Sequence, residues 1–143
     1  MTAHSEQIGR QFARQHGVLI SDLHALLHIM VAESAGQPLT LSQLRRRMNL
    51  SPASVTYLVD RMAEAGHIRR EADPADRRKS LLRFEEHGLA VGREFFAPLG
   101  AHLRAALVDT SDADLVVAQG VLRVMITAMA RFEEELLARA AHS

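Results

Sequence analysis

The chain has 143 residues, 48% hydrophobic and 24% charged, with no formal net charge, which suits one globular domain or two small subdomains sharing a core. Aromatics make up only 4% while Ala and Leu abound, favouring helices over a sandwich or barrel. Without cysteine there is no disulfide scaffold, thiolate zinc site, catalytic thiol or thiol-based redox sensor, and no stretch approaches the roughly 20 apolar residues of a membrane span.

The opening MTAHSEQIGR has no apolar signal-peptide core, so a cytoplasmic protein with no membrane partner is expected. Residues 5–16 suit a short helix with Ile8 and Phe12 on one face. Ser21-Asp22 offers an N-cap for LHALLHIMVAES, whose stripe is Leu23, Leu26, Leu27 and Met30, and Gly36-Gln37-Pro38 ends it. Thr40 can cap a helix with Leu41, Leu44 and Met48 inward, and Asn49-Leu50 makes a tight turn. Ser51-Pro52 then starts another helix with a hydroxyl N-cap and proline at N1. Val55, Leu58, Val59 and Met62 form its inner stripe, and Gly66 is a suitable C′ stop.

Beyond Gly66 the period changes. HIRREA and KSLLRF read as two short strands around the polar turn DPADRR, a β-hairpin. From Glu85 the pattern is helical again, over about 85–108 and 112–139, with Ser111 capping the second helix. Pro98 should kink or break the first of these. Apolar residues of the second, among them Leu122, Ile126 and Phe132, wrap more than one face, which suggests a helical dimer interface.

The neutral average hides a sorted charge. Residues 40–83 hold ten Lys/Arg and five Asp/Glu, a net of +5, against −5 for the remainder. That middle third is the candidate polyanion surface. A helix, a tight turn, a capped helix and a charged hairpin make the layout of a winged helix-turn-helix. The second helix turns Ser54, Thr56, Tyr57 and Arg61 outward, groups able to meet base edges and phosphates in a major groove. Its first residues, Ser51, Ala53 and Ser54, would lie deepest, where open N–H groups also bind phosphate.

The stretch LTLSQLRRRMNLSPASVTYLVDRMAEAGHIRREADPADRRKSLLRFEEHG resembles the core of the MarR family of bacterial transcription regulators. The pattern SPxxVTxLVDRxxxxGxIRRxxDPxDRR carries the resemblance, and the helical order outside it extends the likeness over nearly the whole chain. It implies a mainly α chain with a small β-hairpin wing. Residues 21–99 would form the DNA-binding lobe and connecting helix, and residues 1–20 and 100–143 the helical dimerisation region. It further implies a homodimeric, ligand-responsive regulator, most often a repressor, on a pseudo-palindromic operator, with no enzymatic activity and no cofactor. In the wing, Arg78 is the residue expected in the minor groove, Asp76 would hold it in shape, Arg77 would be a variable phosphate contact, and Lys79 completes the basic tip. The implied effector is a small organic molecule, with Phe12, His16, His24 and His28 as candidate pocket residues. This chain departs from the family pattern at Tyr57, where an arginine is common, and at Phe84-Glu85, where Leu-Thr is usual.

Two other classes compete. His24 and His28, at i,i+4, could serve a metal-responsive regulator, though no HExxH or third ligand accompanies them and no metal is expected. A winged-helix protein-interaction module without DNA binding is the other, and the charge sorting argues against it. Ser21, Asp22 and His24 superficially suggest a hydrolytic triad, but neighbours on one helix start cannot take up that geometry, so capping is the expected role.

Overall fold

The computed structural model describes residues 2–140. In chain order these form α1 (Thr2–His16), α2 (Ile20–Ser34), α3 (Leu41–Arg47), α4 (Pro52–Glu64), β1 (Ile68–Ala72), β2 (Ser80–Phe84), α5 (Glu86–Ala106) and α6 (Asp112–Ala140). The chain divides into two compact units, Met1–Ala97 and Pro98–Ser143.

In the first unit, local chemistry sets the helix ends. Thr40 and Gln43 form a reciprocal capping box on α3, the Thr40 hydroxyl accepting from the Gln43 N–H while the Gln43 side chain accepts from the Thr40 N–H. Asn49 follows at φ 51°, a left-handed turn that asparagine tolerates. Ser51 accepts from the Ser54 N–H at 3.1 Å, and Pro52 opens α4 where its missing donor costs nothing. Gly66, at φ 72°, ends the helix and turns the chain into β1.

The start of α2 differs from the expectation. The helix begins at Ile20, and its N-cap, Leu19, makes no side-chain cap. Ser21 and Asp22 lie inside the first turn, and Asp22 is only 5% exposed. Leu23, Ala25, Leu26, Ile29 and Ala32 form the buried face, whereas Leu27 and Met30 are partly open. The core joins this face to Leu44 of α3, Val55, Leu58, Val59 and Met62 of α4, and Ile68 and Leu82 of the hairpin. Each fully buried Leu, Ile, Val or Met of this core contributes about 1.5–3 kcal/mol by leaving water.

The hairpin is antiparallel, with Ile68 opposite Phe84 and Ala72 opposite Ser80. Ile68 and Leu82 point inward and are almost completely buried. Arg69 lies directly opposite Arg83, a like-charge pair that would destabilise the sheet. Glu71 offsets it, lying 3.2 Å from Arg69 and 3.6 Å from Arg83. The root of the hairpin is tied to the helices by backbone. Leu82 donates to the Leu39 carbonyl at 2.8 Å, and Thr40 bridges Leu81. The Glu33 carboxylate, at the end of α2, accepts from the Phe84 N–H at 2.9 Å.

Helix α5 continues through Pro98 as one helical segment, so of the kink or break expected there the break does not occur. Proline removes one donor, and the good helix formers on either side carry the remaining turns. In the second unit, Ser111 caps α6 by accepting from the Asp114 N–H at 3.1 Å. No residue of α6 is buried among those described, and Val116, Val124, Ile126 and Met129 are each about two-thirds exposed. The 29 residues of α6 include a window of mean hydropathy 1.5, enough by length and composition alone to cross a membrane. Gln119 and Arg123 interrupt the apolar residues of this helix, so the sequence holds no unbroken run of roughly 20 of them.

At the junction of α4, β1 and α5 the packing is tight. A β-carbon on Gly88 would stand 2.6 Å from the His67 carbonyl oxygen and 2.9 Å from its α-carbon. One on Gly92, a turn later in the same helix, would meet nothing within 4 Å. Gly92→Ala should therefore stabilise the chain by about 0.5–1 kcal/mol through helix propensity, whereas Gly88→Ala should destabilise it by about 1–3 kcal/mol. Urea denaturation of the two variants checks the opposite signs. Stabilisation by both would show that the junction yields.

Candidate nucleic-acid interface

Because Val55, Leu58, Val59 and Met62 are taken up by the core, the opposite face of α4 is left to solvent. Ser51, Ala53, Ser54, Thr56 and Tyr57 are all exposed on it. Their hydroxyls are not equivalent. Ser51 donates to the Ser54 oxygen at 2.8 Å, so Ser54 still has its own proton to give. Thr56 donates to the Pro52 carbonyl at 2.9 Å and so presents an acceptor and a methyl group. Tyr57 is 68% exposed, a large aromatic standing in water.

Arg61 does not share that outward direction. Its Nε donates to Asp22 Oδ2 at 2.8 Å and its Nη2 to Asp22 Oδ1, so a bidentate pair links α4 to α2. The hydrogen bond to Asp22 holds the guanidinium still further above its ordinary range, so Arg61 is charged at any accessible pH. Asp60, one residue earlier, is exposed and accepts from Arg70 at 2.7 Å, tying α4 to β1.

The wing tip is an ordered loop. Asp73 N–H donates to the Lys79 carbonyl at 3.0 Å, and Lys79 N–H to the Asp76 carbonyl at 2.9 Å. The Asp73 carboxylate accepts from the Ala75 N–H at 2.8 Å. Asp76 accepts from both the Arg78 backbone N–H at 3.1 Å and the Arg78 Nε at 3.2 Å. These bonds to Arg78 hold the Asp76 carboxyl below its usual range. Arg78 nonetheless keeps 91% of its side chain exposed, so the arginine is aimed without being covered. Arg77 and Lys79 flank it and are exposed. Of the three α3 arginines, Arg46 and Arg47 are exposed and Arg45 is half-buried.

The four residues expected around a ligand do not share one site. Phe12 lines a cavity of about 420 Å³, with Leu23, Leu26, Met30, Phe84 and Phe96 among its walls and Arg93 at its edge. The His16 ring packs at a tilt against Phe12, with centroids 4.7 Å apart and planes at 38°, but does not line that cavity. His24 lies in a separate groove with Gly9, Ile20 and Leu27. His28 is half-buried and lines neither. Among the described residues no group of three or more His, Asp or Glu is placed to hold a metal ion.

Three groups matter here that the sequence did not single out. Asp22 was expected only as a cap, and Glu33 was given no role. The third is a pair, His67 and His87, whose rings stack with centroids 6.0 Å apart and planes within 16°. No local pattern signals any of them, because their partners lie 20 to 51 residues away in sequence.

A capped helix whose outer face is polar, beside an ordered basic hairpin pinned to the same core, defines a winged helix-turn-helix. Comparison with known proteins agrees. Residues 16–79 match the sequence model of the MarR family. An uncharacterised HTH-type transcriptional regulator of Bacillus subtilis, YcgE, is 47% identical over 45 residues, which is 32% of this chain and 29% of that protein. A MarR family protein from Bacillus stearothermophilus has a similar structure, with a TM-score of 0.62 at 26% identity over 90% of this chain and 87% of that one. The DNA complex of S. aureus MepR gives 0.59 at 15% identity over 90% and 93%. Over residues 16–79 the chain is similar to the MarR family of transcriptional regulators, and its fold is that of solved winged helix-turn-helix proteins of that family.

Burial, and then the neighbouring His87, lower the pKa of His67 below 6.5, with a further push from His16 and an opposing pull from Asp22. A base whose folded pKa is depressed binds its proton more weakly in the native state than in the unfolded chain. Its contribution to stability is therefore present above about pH 6.5 and is lost as the pH falls below that value. The thermal midpoint should decline on acidification through this window, and His67→Gln should flatten the decline. An unchanged slope in the variant would assign the effect to other groups.

Proposed function

We propose that the chain binds double-stranded DNA as a homodimer and acts as an effector-responsive repressor on a pseudo-palindromic operator. The carrying observation is the pairing, on one lobe, of a hydroxyl-rich exposed start of α4 with the 91%-exposed Arg78 side chain held by Asp76. In this reading α4 enters the major groove, with Ser51, Ala53, Ser54, Thr56 and Tyr57 nearest the bases. The tip, Asp76 to Lys79, meets the flanking minor groove, where a narrow A·T-rich stretch attracts arginine. The +5 charge of residues 40–83 supplies the non-specific attraction. MepR, which shares the fold, has been solved with DNA. A cytoplasmic location follows from that partner.

The dimer reading rests on α6, whose exposed Val116, Leu122, Ile126, Met129 and Phe132 would otherwise stand in water. The effector reading rests on the cavity of about 420 Å³ beside Phe12. Its walls are almost wholly apolar, so it favours a small aromatic molecule over a polar one, with Arg93 able to meet an acidic group.

Fluorescence anisotropy on a duplex from the region upstream of the gene should give salt-dependent binding. Arg78→Ala should weaken it by about tenfold and reduce the salt slope by about one. Lack of salt-dependent binding to any duplex would instead favour a protein-interaction role.

Sedimentation equilibrium should find a dimer, and Ile126→Glu with Met129→Glu should produce a monomer that binds DNA weakly. Adding benzoate-type aromatic acids should raise the thermal midpoint by mass action, about 2.7 kcal/mol at a hundredfold excess over Kd, and lower DNA affinity. A monomeric wild type, or aromatic acids without effect on either measure, would refute the corresponding part of the reading.

A further inference from the structure

Asp22 is the one buried charged residue among the described residues of the first unit, and its carboxylate is filled by a side chain from another helix. Arg61 places both its Nε and its Nη2 on that carboxylate. Ser21 adds a hydroxyl donor to Oδ1 at 3.3 Å. For Arg61 to swing to a phosphate, Asp22 would be left charged and buried with its main partner gone, which is strongly unfavourable. The outer side of the guanidinium is not idle. Its carbon lies 5.0 Å from the centroid of the Tyr57 ring, one turn earlier on α4. The ring thus has a charged platform on one side, while 68% of the residue faces water.

We propose that Asp22 is a positioning residue for DNA reading. Through Arg61 it fixes the Tyr57 ring, and Tyr57 rather than Arg61 is the side chain of the middle turn of α4 that meets the duplex. This rests on the DNA-binding function proposed above and names a determinant of its specificity. A held phenol offers a flat face to a sugar or thymine methyl and a hydroxyl to an acceptor. An aromatic that is already ordered gives up little rotamer freedom on binding. The same ring without its platform would contact the same groove with less selectivity.

The composition provides a direct probe. Tyr57 is the only tyrosine and there is no tryptophan, so intrinsic tyrosine emission and the near-ultraviolet tyrosine dichroism report on this side chain alone. Operator DNA added to the wild-type chain should quench the emission. Asp22→Asn should weaken the dichroism and reduce operator affinity by about three- to tenfold, with an unchanged salt slope. Tyr57→Ala should cost a similar factor in the wild-type background and much less in the Asp22→Asn background, as coupled residues do. If Asp22→Asn fails to fold, Asp22→Leu with Arg61→Met replaces the buried pair by apolar groups. That variant should fold and show the same loss of affinity at an unchanged salt slope.

Tighter or equal binding by Asp22→Asn would overturn the proposal, and so would a salt slope lowered by about one in the Leu/Met variant, which would mean that Arg61 itself contacts phosphate. Arg78→Ala is the control run beside these variants. If it weakens binding while the Asp22 variants do not, only the positioning role fails. If no variant and no duplex gives salt-dependent binding, the DNA-binding reading fails with it.

Discussion

A carboxylate that is 5% exposed needs a cation, and Asp22 obtains one from a helix 39 residues further along the chain. That requirement organises the first unit. It joins the first turn of α2 to the last turn of α4, so the exposed face of α4 has its azimuth set by a charge as well as by packing. Glu33 performs a related task at the other end of α2, where it receives the Phe84 N–H and lies 3.4 Å from Arg83. One helix thus holds α4 with an acid near its start and the root of the wing with an acid near its end. Between them the apolar face of α2 supplies Ala25, Leu26 and Ile29 to the common core. The two parts expected to touch DNA are separate in sequence but fixed to the same rod.

The wing shows the same economy on a smaller scale. Its strands are short, and a two-stranded hairpin alone is marginally stable in water. Here Leu82 and Ile68 enter the core, and Leu39 and Thr40 extend the pairing at the root. The tip can then be almost wholly polar without losing its shape. Asp76 takes up the Arg78 N–H and part of its guanidinium, which orders the arginine before any partner arrives. Electrostatic order at the tip and hydrophobic order at the root are separate devices, and the abrupt change from Lys79 to Leu81 marks the boundary between them.

Much of this could be read from local chemistry. Capping by Thr40, Ser51 and Ser111, the stripe of α4, the stop at Gly66 and the hairpin pairing are short-range features, written in spacings of two to four residues. What escaped is long-range. Asp22 at a helix start has the same sequence signature whether it caps or crosses to another helix, and only the fold brings Arg61 to it. The direction of Arg61 was misjudged for the same reason. Periodicity puts it near the edge of the outer face, and a partner from α2 draws it in. The candidate ligand-pocket residues do not meet, because a family likeness does not specify which side chains of α1 and α2 turn toward one cavity. His16, His24 and His28 lie on α1 and α2 but line different surfaces. A break at Pro98, expected from a strong local rule, is absent because the neighbouring turns carry the helix across it.

Gly88 acts as an angular key. The backbone of His67 occupies the space a β-carbon would need, so only one rotational setting of the start of α5 fits against the end of α4. Turning the helix by a single position, about 100°, would bring a side chain into that slot. A methyl group at this one site would change how the joint seats.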